Sequence, residues 1–193
     1  IMRTSLTPND LGPVSGTNDQ WFLHRIQAQE AWDISTGNTD IKVAIVDDAV
    51  LTNHPDLIPN LLPGYDVADN DTDAMPNTSD MSHGTHVAGI ASGATNNGIG
   101  IASIGFNVKL IPVKSSNSPQ FISDAYAGVV WAYQNDADVI NMSWGGSGFS
   151  QTGQNIITNA YNAGCVNVAA AGNDGVSTVF YPAGYDNIIS VAS

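Results

Sequence analysis

Three side chains in this sequence have the type and setting that carbonyl chemistry asks for. His83 stands in Ser82-His83-Gly84-Thr85-His86-Val87-Ala88-Gly89, where small residues and then an apolar run predict a buried helix with the imidazole in its first turn. The positive end of a helix opposes a second positive charge, so the ring is expected to stay neutral and basic, as a general base must. Asp47 closes the nearly all-apolar run from Ile41 to Val46, and Asn173 follows Ala170-Ala171-Gly172. An aspartate can hold a histidine in one tautomer and stabilise the imidazolium. An amide in a Gly-Asn turn can donate to an oxyanion developing on an attacked carbonyl. A histidine met alone is more often a helix-end residue than a base. What matters is whether the three meet.

The elements that would position them follow from periodicity. The run 41–46 has strand length and suits a parallel strand covered on both faces, and carboxylates at its carboxyl end stand where open α/β sheets place their sites. A helix is expected over 21–32 and a short strand within 61–67. Further strands are expected at 108–113, 139–143, 165–171 and 188–191, and further helices at about 122–135 and 153–163. This alternation predicts an α/β fold, a mainly parallel sheet with helices on both faces. All of 1–193 then belongs to one domain, with the Pro-, Gly-, Ser- and Asn-rich residues 1–20 as an extended arm. Asp47, Ser143 and Asn173 fall at strand ends on a single edge, with His83 beside them.

Composition narrows the partners. Eighteen acidic residues face five basic ones, which disfavours nucleic acid and anionic membrane alike. Glu30 is the sole glutamate, whereas eight aspartates lie from Asp47 to Asp80. Such clustering points to a hard cation such as calcium, with a solvated acidic loop as the alternative. Cys165 is the only cysteine, so no internal disulfide can form, and its apolar run reads as the site of a buried, inert thiol. No apolar stretch has the length to cross a bilayer. The start carries no signal-peptide pattern, and Ile1 before Met2 suggests a trimmed chain. An extracellular protein without disulfides would draw its durability from elsewhere, and calcium is the obvious source.

Three motifs, Val43-Ala44-Ile45-Val46-Asp47, His83-Gly84-Thr85-His86-Val87-Ala88-Gly89 and Ala170-Ala171-Gly172-Asn173, together resemble the subtilisin-like serine endopeptidases, the thermitase-like branch most closely. The resemblance runs from about Trp21 to the last residue and implies a secreted, calcium-stabilised peptidase acting on polypeptides. It makes Asp47 the orienting acid, His83 the base and then acid, and Asn173 the oxyanion donor, roles inherited with the family. Ser143-Trp144-Gly145 resembles the segment that pairs with substrate backbone and walls the first specificity pocket, with Ala170-Ala171-Gly172 as the opposite wall, leaving room for a large apolar side chain. Trp144 as plain core is the alternative. Asp66, Asp69, Asp71 and Asp73 resemble a thermitase-type calcium loop. Asp56 and Asn97 with the carbonyls of Thr95, Ile99 and Ile101, completed by Asp10, resemble the tighter family site. His86 lacks the acidic neighbour of a metalloprotease helix and reads as a packing residue.

Three departures from the family pattern carry expectations. Asp48-Ala49 follows the acid where the family usually has a small hydroxyl residue and glycine. A second carboxylate should raise the proton affinity of the group, so the base is expected to titrate high. The stretch Ser115-Ser116-Asn117-Ser118-Pro119 is shorter than the family's segment for the far side of the groove, and Pro119 cannot donate to a strand ladder. No serine of the 193 stands in the family's Gly-Thr-Ser motif, and Ser147 lacks the elbow that an exposed nucleophile needs. The nucleophile is therefore expected on a companion chain or a C-terminal portion, with a prodomain or protein inhibitor as further partners. The alternative is a silent calcium- or peptide-binding module.

Overall fold

The computed structural model describes residues 6–12 and 20–192. Its centre is strand β1, Lys42–Asp47, whose alternate side chains serve two separate cores. Ala44 and Val46 face one side and Ile45 the other, and all three are fully buried. A strand covered on both faces has no polar side to present, which is why Val43 to Val46 reads as an unbroken apolar run.

Five further strands complete the sheet: β2 Tyr65–Asp66, β3 Lys109–Lys114, β4 Val139–Met142, β5 Val166–Ala170 and β6 Ile189–Val191. Their order is β2-β3-β1-β4-β5-β6, and every pairing is parallel. The expected α/β architecture holds. Helix α3, His83–Ser92, packs against β1 and β3 on one face, burying Ala88 with Ile45 and Leu110. Helices α4, Ala125–Gln134, and α5, Gln151–Asn162, cover the other face, where Val129, Ala132, Ile157 and Ala160 meet Val46, Ile140 and Met142. Ser150 caps α5, accepting from the Gly153 N–H at 3.2 Å.

From β1 the chain runs to β2 and β3 on one side, then crosses to β4, β5 and β6 on the other. The carboxyl ends of β1 and β4 therefore flank the point where the strand order reverses, the crevice position of open α/β sheets. Asp47 ends β1, and Ser143 directly follows β4.

Two elements differ from expectation. The helix expected over 21–32 is divided into α1, Trp21–Arg25, and α2, Ala28–Trp32, because Gln27 takes a left-handed conformation with φ 58°. The break turns Leu23, Ala28 and Trp32 into one small core with Ala102. The strand expected within 61–67 shrinks to two residues, since the chain must pass close over β3. A Cβ at Gly64 would stand 2.3 Å from the Pro112 carbonyl oxygen, a contact only glycine avoids. Of the arm, residues 6–12 lie on the body: the Leu6 N–H donates to Asp33 and the Asn9 N–H to Asn96. Residues 1–5 and 13–19 of the expected arm lie outside the described residues.

Cys165 is buried with its thiol donating to the Ala137 carbonyl, and burial pushes its pKa up, so it has the inert character expected of it. Ile140 is fully buried between β1 and β5. Ile140→Ala should cost about 2–5 kcal/mol of stability through lost contacts and the cavity left behind, measured by denaturant unfolding.

Candidate active site

Asp47 has no solvent exposure, and its Oδ1 accepts two hydrogen bonds, from the Asp48 backbone N–H at 2.8 Å and from His83 Nδ1 at 2.7 Å. A carboxylate can only accept, so the ring proton sits on Nδ1 and the lone pair is left on Nε2. The imidazole is 55% exposed, which leaves that lone pair within reach of an incoming group. Asp47 Oδ2 is buried without a partner. Burial accordingly pushes the Asp47 pKa up, while the His83 hydrogen bond pulls it back.

His83 is raised above the ordinary imidazole value, first by its hydrogen bond to Asp47 and then by the negative charges of Asp47 and Asp48, against the opposing effect of burial. The helix dipole was expected to hold the ring neutral. That effect is opposed here, because the positive end of α3 is already met by a carboxylate: Asp48 accepts from the Gly84 N–H at 2.7 Å and the His83 N–H at 3.2 Å.

Asn173 lies three residues beyond the end of β5, which is separated from β1 by β4 alone. At ordinary strand spacing that places the two strand ends about 10 Å apart. Asn173 lines a cleft of about 250 Å³ with Ser143, Ala170 and Gly172, and a neighbouring one of about 500 Å³ with Ala171, Gly172 and Phe180. Gly172 has φ 100°, which a side chain would resist. The two expected walls thus face these clefts in part. Trp144 and Gly145 line neither. The Trp144 indole N–H donates to the Val46 carbonyl at 2.8 Å, and the ring meets Tyr126 edge-on at 5.5 Å. Its side chain is partly buried against the larger core and holds the residue before Asp47.

The aspartates of the 66–73 loop take their hydrogen-bond partners from the chain itself. Asp66 is buried, and its Oδ2 pairs with the equally buried Lys114 ammonium at 2.6 Å while its Oδ1 accepts the N–H groups of Ala68 and Asp69. Asp71 and Asp73 accept from backbone N–H groups of their own loop, and Asp69 accepts from the Asn117 amide. No three acidic, histidine or cysteine side chains converge as a metal group among the described residues. Lys114 thus supplies Asp66 with a positive charge from the neighbouring strand.

Of the second set, Asp10, Asp56 and Asn97 come together. Asn97 donates through its side-chain amide to Asp56 Oδ1 at 2.8 Å and through its backbone N–H to Asp10 Oδ2 at 2.9 Å. Asp56 Oδ2 accepts the Ile101 N–H, and Asn97 Oδ1 accepts the Ile99 N–H. Thr95 turns its hydroxyl to Ser103. Asp10 Oδ1 is buried without a partner, an orphan acceptor beside a second carboxylate, and this donor set fits a hard cation. His86 was expected to pack, but it is exposed and lines a cavity of about 710 Å³ together with Met81, Thr85 and Ile101. Neither Asp47 nor His83 borders that cavity.

A family model described as the subtilase family matches residues 38–193. The chain belongs to the subtilase family. Over 195 residues this subtilase is 41% identical to the thermophilic serine proteinase of Bacillus sp. strain AK1, covering 100% of this chain and 47% of that protein. It is likewise 41% identical to the thermitase of Thermoactinomyces vulgaris over 189 residues, covering 97% of this chain and 65% of thermitase. A solved protease from Pseudoalteromonas arctica PAMC 21717 superposes with a TM-score of 0.83 at 36% identity, covering 97% of this chain and 66% of that one. The subtilase chain therefore spans about half to two thirds of the length of these relatives.

Sequence reasoning passed over Lys114. A lysine following the buried apolar run Leu110 to Val113, in register with Asp47, was the available signal for a buried ion pair. Lys114→Met should leave Asp66 buried and uncompensated, at a cost of about 3–5 kcal/mol, read as a lowered denaturation midpoint. The double variant with Asp66→Asn should recover part of that loss.

Proposed function

We propose that these 193 residues are the amino-terminal part of the catalytic domain of a secreted, calcium-stabilised serine endopeptidase. The observation that carries this reading is the 2.7 Å hydrogen bond between a buried Asp47 and a half-exposed His83 at the point where the sheet order reverses. The substrate is a polypeptide, and the nucleophilic serine comes from sequence outside these residues, on the C-terminal portion or a companion chain.

In this mechanism Asp47 holds the ring with Nδ1 protonated. His83 Nε2 takes the proton from the serine hydroxyl as the oxygen attacks the peptide carbonyl, and Asp47 stabilises the imidazolium that results. The Asn173 amide donates to the tetrahedral oxyanion. His83 then protonates the leaving amine, and a second round with water releases the acyl group. Ser143, Ala170, Ala171 and Gly172 shape the site for the side chain before the scissile bond, and the backbone of the Trp144-Gly145 segment pairs with the substrate chain.

Asp10, Asp56 and Asn97, with the carbonyls of Thr95, Ile99 and Ile101, would hold calcium. There the ion supplies charge that ties the arm to the body, and it takes no part in the chemistry. Calcium would supply the durability that a secreted chain with one cysteine cannot draw from an internal disulfide.

In the full-length protease, a fluorophosphonate should label one serine, and His83→Ala should lower kcat by at least about a hundredfold. Absence of labelling in calcium would favour the silent-module alternative. Because His83 must be neutral to act and its pKa is raised by Asp47, kcat/KM should fall as pH drops through a limb lying above the ordinary imidazole range. A limb at or below that range would contradict the assignment. Chelation of calcium should lower the thermal midpoint, by about 3 kcal/mol equivalent if the ion is present at a hundredfold over its Kd. Asp56→Ala should abolish that calcium dependence.

A further inference from the structure

Asp48 is 1% exposed and lies where β1 ends. Its Oδ1 accepts the N–H groups of Ala49 and Gly84, each at 2.7 Å, and its Oδ2 accepts the His83 N–H at 3.2 Å. The last two are the first amides of α3, which no helix can satisfy from within. Ser82, at the N-cap position, makes no side-chain cap bond. A carboxylate from a different element therefore performs the capping. The fit is close: a Cβ on Gly84 would lie 2.4 Å from the Ala49 carbonyl oxygen and 2.8 Å from the Asp47 Cβ. Thr85 adds a further tie by accepting the Leu51 N–H at 2.9 Å.

We propose that Asp48 is a positioning residue for His83: its carboxylate seats the first turn of α3 on the end of β1, so that the ring meets Asp47. The proposal rests on the reading of His83 as the base. A buried carboxylate is tolerated only with strong donors, and the donors Asp48 has found include the backbone N–H of the very residue to be placed. One residue thus does two things to His83. It fixes the backbone, and its charge favours the protonated ring.

The other ionisable groups around α3 are otherwise engaged or distant. Asp47 bonds the ring itself. On β3, Lys114 is paired with Asp66, and Lys109 at the opposite end donates to the Pro59 carbonyl. Lys42 is at the far end of β1, and His86 lines the neighbouring cavity.

The test compares Asp48→Asn and Asp48→Ala with the parent in the full-length protease, with folding checked by thermal melts. Asn keeps an acceptor without the charge, whereas Ala keeps neither. Asp48→Ala should lower kcat roughly ten- to a hundredfold through misplacement of the ring, with KM changed by no more than about twofold. Asp48→Asn should recover most of kcat while the acidic limb of the pH profile, and the His83 titration followed by NMR, move to lower pH. The Gly84 amide proton should move upfield in both variants as its charged acceptor is lost. A folded Asp48→Ala with parental kcat, or an Asp48→Asn with parental His83 titration and Gly84 shift, overturns the proposal. If Asp48→Ala does not fold, the Asn variant decides alone. A parent without peptidase activity would count against the proposed function, while the amide shift and titration would still show whether Asp48 holds the helix.

Discussion

A carboxylate with no access to water is stable only in the company of specific donors, and Asp47 has few. One oxygen receives the Asp48 amide and the His83 ring, and the other receives nothing. The acid and the imidazole consequently depend on each other. Without the ring, burial would drive Asp47 toward its neutral form; without the acid, the ring would lose both its tautomer and the largest influence on its proton affinity. Much of the rest of the fold serves to keep those two groups at hydrogen-bond distance.

The same edge of the sheet holds two more buried carboxylates, and each has a different solution to burial. Asp48 takes backbone amides, including two from the helix that carries His83. Asp66, on β2, takes the Lys114 ammonium from β3. Three acids on one edge of the sheet, two at the end of β1 and one on β2, would repel one another if left alone. Here an imidazole, a helix N-terminus and an ammonium separate their charges into local pairs. The Trp144 indole closes this arrangement from the other side by bonding the Val46 carbonyl, so the strand preceding Asp47 is tied to the strand that precedes the clefts.

Where the sequence reading succeeded, it did so because one physical rule acted over a short stretch. Strand β1 is covered on both faces, so its middle, Val43 to Val46, is apolar throughout. Helix α3 begins with small residues because its first turn presses on the strand end. The reading failed where distant partners decided. Nothing in the glutamine-rich stretch before Trp32 announces a break at Gln27, which carries neither glycine nor proline and adopts its left-handed backbone to fit a local core. The spacing of Asp66, Asp69, Asp71 and Asp73 is compatible with a cation loop, yet spacing says nothing of a lysine arriving from another strand.

By itself, the order of residues determined the kinds of element, their parallel arrangement and the small set of side chains able to do carbonyl chemistry. These depend on hydrophobic period and local backbone preference, which are properties of neighbours in the chain. Only the tertiary structure decided that Asp48 takes helix amides and Asp66 takes Lys114, and only it set the distances at which His83 meets Asp47 and Asn97 meets Asp56. The energy of a buried charge is set by donors within a few ångströms in space, and the sheet register that brings those donors together is not written in any one segment.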